Sequence, residues 1–242
     1  DKLVSMGKLT EPERDEVLSR IQRSSDLAFA VQGAELIIEA APESMDIKRG
    51  LFRLLDQRVG EDTIFATSTS SLSISQLSSD MAHPGRFVEI HFFNPVHEIE
   101  LVEVVCGEDT SEVSRALVVD FVQAIGKHPI LVRDSPGFAA SRLGMVQCLE
   151  AIRLVEAGVT RPEDVDAAMV VGYGHPEGPL RLADLMGLDV QMEAATYLYG
   201  ALGSEAFRPP QLLERMVAEG KLGKKSGEGF YSWNEDDPSD EP

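Results

Sequence analysis

The stretch His91-Phe92-Phe93-Asn94-Pro95-Val96, with Glu103 twelve residues beyond His91, is the one best suited to moving a proton. Imidazole takes up and releases a proton near neutral pH. An apolar run, Arg86 to Phe93, carries His91 to its end, and open α/β sheets place ligands beyond the carboxyl ends of their strands. Asn94-Pro95 breaks that run and Leu101 begins another, so a short connection can bring Glu103 against the ring. A carboxylate in that position fixes the tautomer and stabilises the charged imidazole. The same residues also fit a plain structural reading, in which His91 is a satisfied strand-end histidine and Glu103 a solvent-facing strand residue. The spacing alone leaves both open.

A second polar feature is the run of serines Ser68, Ser70, Ser71, Ser73 and Ser75. Hydroxyls that follow a strand can bind phosphate or orient a substrate group; they can equally cap a helix and fill a polar loop. No serine lies in a Gly-x-Ser-x-Gly elbow, which disfavours a hydrolase triad. There is no phosphate-loop lysine motif and no His-Glu-x-x-His, and His83, His97, His128 and His175 share no spacing that suggests a metal.

The elements that must position these residues follow from the apolar patterning. Strands are expected at Ala34–Ala40, Thr63–Thr67, Arg86–Phe93, Leu101–Cys106 and His128–Val132. A helix starts behind Thr10, with Pro12 in its first turn and Glu11 and Glu13 at its positive end, and Leu18, Ile21 and Leu27 continue its apolar face. Residues 44 to 57 have helical spacing with Ile47, Leu51, Leu54 and Leu55 on one face, and another helix runs from about Thr110 to Ile125. Alternating strands and helices imply βαβ units and a mostly parallel sheet. After Asp134-Ser135-Pro136-Gly137 the pattern becomes helical, from Leu143 onwards and then at about 162–172, 179–201 and 209–219, with no further strand-like run before Gly229-Phe230-Tyr231. The expected fold is therefore α/β followed by an all-α part, with domains at 1–135 and 136–233 and an acidic tail at 234–242.

Composition bounds the function. Among 242 residues, 43% are hydrophobic and 26% charged, ordinary values for a globular chain. Lys and Arg number 22 against 41 Asp and Glu, a net charge of −19 that argues against broad nucleic-acid or anionic-membrane binding. Five of those negatives, Glu235, Asp236, Asp237, Asp240 and Glu241, form a tail expected to be disordered. Two cysteines, Cys106 and Cys148, cannot build a disulfide framework, and buried free thiols in a reducing, cytoplasmic compartment are expected. No apolar run approaches the length that spans a bilayer.

Taken in order, the motifs resemble the 3-hydroxyacyl-CoA dehydrogenase family. They are Ile37-Ile38-Glu39-Ala40 with Pro42-Glu43 and Lys48; Thr69-Ser70-Ser71-Leu72; His91-Phe92-Phe93-Asn94-Pro95 through Leu101-Val102-Glu103; and Asp134-Ser135-Pro136-Gly137-Phe138. Gly178-Pro179-Leu180, Leu182-Ala183-Asp184 and Gly187-Leu188-Asp189 follow, then Gly223-Lys224-Lys225-Ser226-Gly227-Glu228-Gly229-Phe230-Tyr231. The resemblance spans nearly the whole chain. It implies a Rossmann-type domain, incomplete at its N-terminal side, then a helical domain that homodimerises. It implies NAD as cofactor and an L-3-hydroxyacyl-CoA as substrate, oxidised to the 3-ketoacyl-CoA. His91 would remove the hydroxyl proton, Glu103 would orient it, and Ser70 would touch substrate and nicotinamide. Glu43, Lys48, Asn94 and Lys225 would line the cofactor and acyl-CoA cleft.

Two departures stand beside the resemblance. The family opens with a strand, a Gly-x-Gly-x-x-Gly turn and a helix that hold the pyrophosphate; the 242 residues contain none of these, and they are expected to belong to the working protein upstream of Asp1. Ser141 stands where the family has the Asn that holds the substrate carbonyl near the histidine. These departures motivate one rival reading, a dimeric scaffold that has lost catalysis. A separate rival is a related NAD-dependent dehydrogenase of a smaller hydroxy acid or a carnitine-type substrate, against which the resemblance sets the Phe92-Phe93 pair and the serine loop. Ser141 has a single donor on a shorter stem. In the full-length protein, Ser141→Asn should therefore raise kcat/KM for 3-hydroxybutyryl-CoA by about tenfold or more, the worth of one hydrogen bond to a developing charge. NAD affinity should stay unchanged; a loss of activity in steady-state assays would show that Ser141 serves packing instead.

Overall fold

The computed structural model describes residues 2–69 and 72–233 of the chain; the expected acidic tail and Ser70 lie outside them. The chain divides into two compact units, Asp1–Thr69 with Ile74–Pro129, and Ser70–Ser73 with Ile130–Pro242.

The first unit begins with helices α1 (Lys2–Ser5), α2 (Glu11–Ser19) and α3 (Leu27–Ala30). Thr10 caps α2 through a reciprocal box: the Glu13 amide donates to Thr10 Oγ1 at 3.4 Å, and the Thr10 amide donates to Glu13 Oε2 at 2.8 Å. The expected apolar face is not buried. The helix stops at Ser19, none of its residues is buried, and Leu18 and Ile21 are exposed. β1 (Leu36–Glu39), α4 (Met45–Asp56), β2 (Ile64–Thr67), α5 (Ile74–Ser78), β3 (Phe87–Phe92), β4 (Leu101–Cys106) and α6 (Glu112–Ala124) follow, and β5 (His128–Arg133) begins in the first unit and ends in the second. The sheet order is β1-β2-β3-β4-β5. β1, β2 and β3 pair in parallel, and β3 and β4 pair antiparallel. All five expected strands form, and the sheet is mostly parallel as expected.

Alternation along the strands gives the sheet two different faces. On one, Ala66, Val88, Ile90, Val102 and Val104 pack with Val118 and Val122 of α6. On the other, Phe65 and Phe87 meet the Phe52 ring of α4 edge-on, at 6.0 and 4.6 Å between centroids. That contact corrects the expected face of α4. Its buried residues are Lys48, Phe52 and Leu55, while Ile47 and Leu54 are exposed. A lysine can turn inward because a buried carboxylate meets it, as described below.

The second unit is helical: α7 (Ala140–Glu156), α8 (Pro162–Tyr173), α9 (Pro179–Met186), α10 (Leu188–Leu202) and α11 (Gln211–Ala218). Leu149, Ile152, Leu180, Leu188, Ala195, Leu198 and Leu213 form its core. The helix expected over 179–201 is two helices, broken at Gly187. Gly187 has φ +103°, and a Cβ there would lie 2.9 Å from both Asp189 Oδ1 and Lys225 Nζ. Isolated bridges flank the Gly229-Phe230-Tyr231 stretch, Gly223 with Glu228 and Glu228 with Ser232. Among the described residues no helix is long and apolar enough to cross a membrane. Cys148 is buried and its thiol is pushed up to about 12 by desolvation; Cys106 is partly buried and shifted the same way.

Two buried aspartates hold this unit's loops. Asp184 accepts from the Phe230 and Tyr231 amides at 3.0 and 2.9 Å and from the Trp233 indole N–H at 2.9 Å. Asp166 accepts from the Leu180 and Arg181 amides at 2.8 and 2.9 Å and from the Tyr231 hydroxyl at 2.7 Å. Asp184→Asn should destabilise the protein by about 1–3 kcal/mol in chemical denaturation, because its amide nitrogen would face N–H donors and leave one of them unsatisfied. Unchanged stability would mean those donors find other acceptors.

Candidate active site

The antiparallel register sets His91 of β3 opposite Glu103 of β4. Residues directly opposite on one face bring their side chains together, and His91 Nδ1 lies 2.8 Å from Glu103 Oε2. Glu103 is fully buried and His91 is 9% exposed. A carboxylate can only accept, so Nδ1 is the donor in this contact, which in a neutral ring leaves the lone pair on Nε2. The Phe93 ring stands against the imidazole at 4.6 Å between centroids and 63° between planes. His91 lies near the carboxyl end of β3, two residues beyond the row in which Glu39, Thr67 and Glu89 of β1, β2 and β3 are in register. Such an arrangement is chemically able to act as a general base with an orienting carboxylate.

A second polar cluster occupies the ends of β1 and β2. Lys48 of α4 is completely buried, and its ammonium donates to Glu39 Oε1 and Oε2 at 2.8 and 3.0 Å. It also reaches the Ala41 and Ser68 carbonyls at 3.3 and 3.4 Å and Glu43 Oε2 at 3.5 Å. Thr67 Oγ1 donates to Glu39 Oε2 at 2.6 Å, and the Ala41 amide donates to Glu39 Oε1. Glu43 itself is exposed and accepts from the Thr69 hydroxyl. Its carboxylate is an acceptor for a ribose hydroxyl or a carboxamide N–H, a chemistry that fits the sugar and nicotinamide parts of a dinucleotide.

The candidate residues thus fall into groups. His91 and Glu103 are brought together, as are Glu43 and Lys48. Asn94 is exposed just past β3. In the helical unit Ser141 is half-buried in the first turn of α7. Lys225 is exposed and pairs with Asp189, Nζ to Oδ2 at 2.6 Å. Ser70 lies outside the described residues. Two other serines of its stretch have structural partners: Ser73 donates to Asp134 at 2.8 Å, and Ser75 Oγ accepts from the Glu108 amide at 3.1 Å. Sequence reasoning did not single out Thr67, Thr69 or Glu89, or give Glu39 a role. The available signal was the presence of Glu39 and Thr67 at the ends of apolar strand runs and of Glu89 inside one, where burial of a polar group requires partners.

Comparison with known proteins gives consistent matches. Residues 1–135 match the 3-hydroxyacyl-CoA dehydrogenase NAD binding domain, and residues 137–233 match the 3-hydroxyacyl-CoA dehydrogenase C-terminal domain. The chain is 40% identical over 233 residues to a 3-hydroxybutyryl-CoA dehydrogenase of Clostridioides difficile, covering 96% of this chain and 83% of that one. It is 41% identical over 228 residues to the mitochondrial hydroxyacyl-coenzyme A dehydrogenase of Homo sapiens, covering 90% and 70%. The crystal structure of (S)-3-hydroxybutyryl-CoA dehydrogenase from Ralstonia eutropha superposes with a TM-score of 0.92 at 38% identity, covering 97% of this chain and 83% of that one.

The Lys48–Glu39 pair yields a stability test. Lys48→Met leaves Glu39 as a buried charge without its ammonium and should cost about 3–5 kcal/mol in denaturant unfolding. Glu39→Gln combined with Lys48→Met removes both charges and should recover most of that loss. Equal loss in the single and double variants would show that the pair's charge is not what matters.

Proposed function

The chain belongs to the 3-hydroxyacyl-CoA dehydrogenase family, and on that premise we propose that it oxidises an L-3-hydroxyacyl-CoA to the 3-ketoacyl-CoA with NAD, His91 acting as the base. The observation that supports this role is the buried 2.8 Å contact of His91 Nδ1 with Glu103 at the carboxyl end of a strand. When bound, NAD supplies the acceptor for the hydride that leaves C3 of the substrate. His91 Nε2 takes the proton from the C3 hydroxyl. The imidazolium so formed is stabilised by Glu103, which accepts the Nδ1 proton in a hydrogen bond and stays ionised. In the reverse direction the same Nε2–H returns the proton to the carbonyl oxygen.

Residues 1–135 carry the cofactor in this reading, and 136–233 carry acyl-CoA contacts and the dimer surface. Glu43 faces the cofactor, with Lys48 behind it; Asn94 and Lys225 line the cleft; Ser70 and Ser141 serve the substrate. An open, mostly apolar groove on α10 lined by Met192, Glu193, Thr196, Tyr197, Gly200 and Ala201, together with the strongly exposed Leu143 and Val171, supports a homodimer through the helical unit. The free thiols Cys106 and Cys148 support a reducing, cytoplasmic setting within fatty-acid or related acyl-CoA metabolism.

NADH formation from 3-hydroxybutyryl-CoA by the full-length protein tests the reading. His91→Gln should lower kcat by about 10²–10⁴ with NAD affinity retained. Glu103→Gln should cost less, since it orients the ring and does not take the substrate proton. Wild-type turnover in both variants would remove His91 from the reaction.

A further inference from the structure

We propose that Glu39 and Thr67 are positioning residues for the cofactor: with Lys48 they form a buried strut that locks the carboxyl ends of β1 and β2 and so fixes where Glu43 is presented. The inference rests on the reading above, in which Glu43 faces NAD. Its starting point is that the Lys48 ammonium is spent inside the protein. The Lys48 side chain is 0% exposed and that of Glu39 1%, and the ammonium's three protons are directed among both Glu39 oxygens, the Ala41 and Ser68 carbonyls and Glu43. Lys48 therefore acts on the cofactor through what it holds.

What it holds is the end of two strands. Ala41 lies in the turn that leads from β1 to Glu43, and Ser68 is the first residue after β2. Glu39 grips the same two places: its carboxylate accepts from the Ala41 amide, and its carbonyl accepts from the Ser68 amide at 2.9 Å. Thr67, fully buried, ties β2 to Glu39 by its 2.6 Å hydroxyl bond. Glu43 then receives one contact from each side, the Thr69 hydroxyl after β2 and the Lys48 ammonium. A displacement of about 1 Å in a group that positions a ligand can cost on the order of a hundredfold, so loosening the strut is felt in cofactor binding first. His91 and Glu103 stand on β3 and β4, outside these bonds, so the chemical step is spared.

Thr67→Val, which removes only the hydroxyl, is the cleanest test because Thr67 is too buried to touch a ligand. In steady-state assays of the full-length enzyme it should raise KM for NAD by about three- to tenfold, the worth of one hydrogen bond, with kcat within twofold and KM for 3-hydroxybutyryl-CoA unchanged. Thr67→Ser keeps the hydroxyl and should retain the wild-type KM for NAD. Glu39→Gln with Lys48→Met, checked for a native near-ultraviolet circular dichroism spectrum, should raise KM for NAD further. The proposal is overturned by an unchanged KM for NAD in folded Thr67→Val, or by an equal rise in Thr67→Val and Thr67→Ser, which would mean packing. Glu43→Gln separates the two levels. If it raises KM for NAD and Thr67→Val does not, the strut fails while the reading of Glu43 stands; if neither variant moves KM, both fall.

Discussion

The register of β3 against β4 is the constraint on which the proposed chemistry depends. Side chains along a strand alternate between faces, so a slip of one residue would send His91 and Glu103 to opposite sides of the sheet. The register is held by the apolar face, where Val88, Ile90, Val102 and Val104 must pack under α6. The dyad on the opposite face is thus positioned by residues that take no part in it. The geometry of the proposed dyad is fixed here by the cost of exposing four aliphatic side chains.

The same sheet face carries an unusual load of buried polar groups. Glu39, Thr67 and Glu89 lie in one row across β1, β2 and β3, with His91 and Glu103 beyond them and Lys48 above β1. A carboxylate can be taken out of water when donors converge on it, and Glu39 collects an ammonium, a hydroxyl and an amide. Asp184 and Asp166 follow the same rule in the helical unit, each gathering three donors from distant parts of the chain. In both units, buried carboxylates tie loops to elements that apolar packing alone would leave loosely registered. Gly178, Gly223 and Gly229 make this possible around Asp166 and Asp184, since a Cβ at any of the three would lie 2.2 Å from one of those aspartates.

Much of the architecture was legible in the residues. The five strands were marked by short apolar runs between turn residues, the first-turn chemistry of α2 by Thr10, Pro12 and Glu13, and the change from α/β to α by the patterning after Gly137. The order of the motifs was enough to indicate the family, and His91 and Glu103 were legible as a candidate pair from strand, break and strand. These features are local, and local sterics and hydrogen bonding determine them.

What the sequence left open is decided by contacts between residues far apart. Helical spacing put Ile47 and Leu54 on the buried face of α4, yet the aromatic contact of Phe52 with Phe65 and Phe87 turned Lys48 inward. Nothing within α4 foretells that rotation, because the compensating charge, Glu39, is on another element. Spacing along a single helix ran 179–201 together, whereas the chain breaks at Gly187, whose φ of +103° is not helical and where Asp189 and Lys225 leave no room for a side chain. The residue types of His91 and Glu103 belong to the sequence; their meeting at 2.8 Å belongs to the sheet. Composition and spacing set what each side chain can do, whereas burial, and with it the value of every charge and hydrogen bond, is set by which distant segments fold against it.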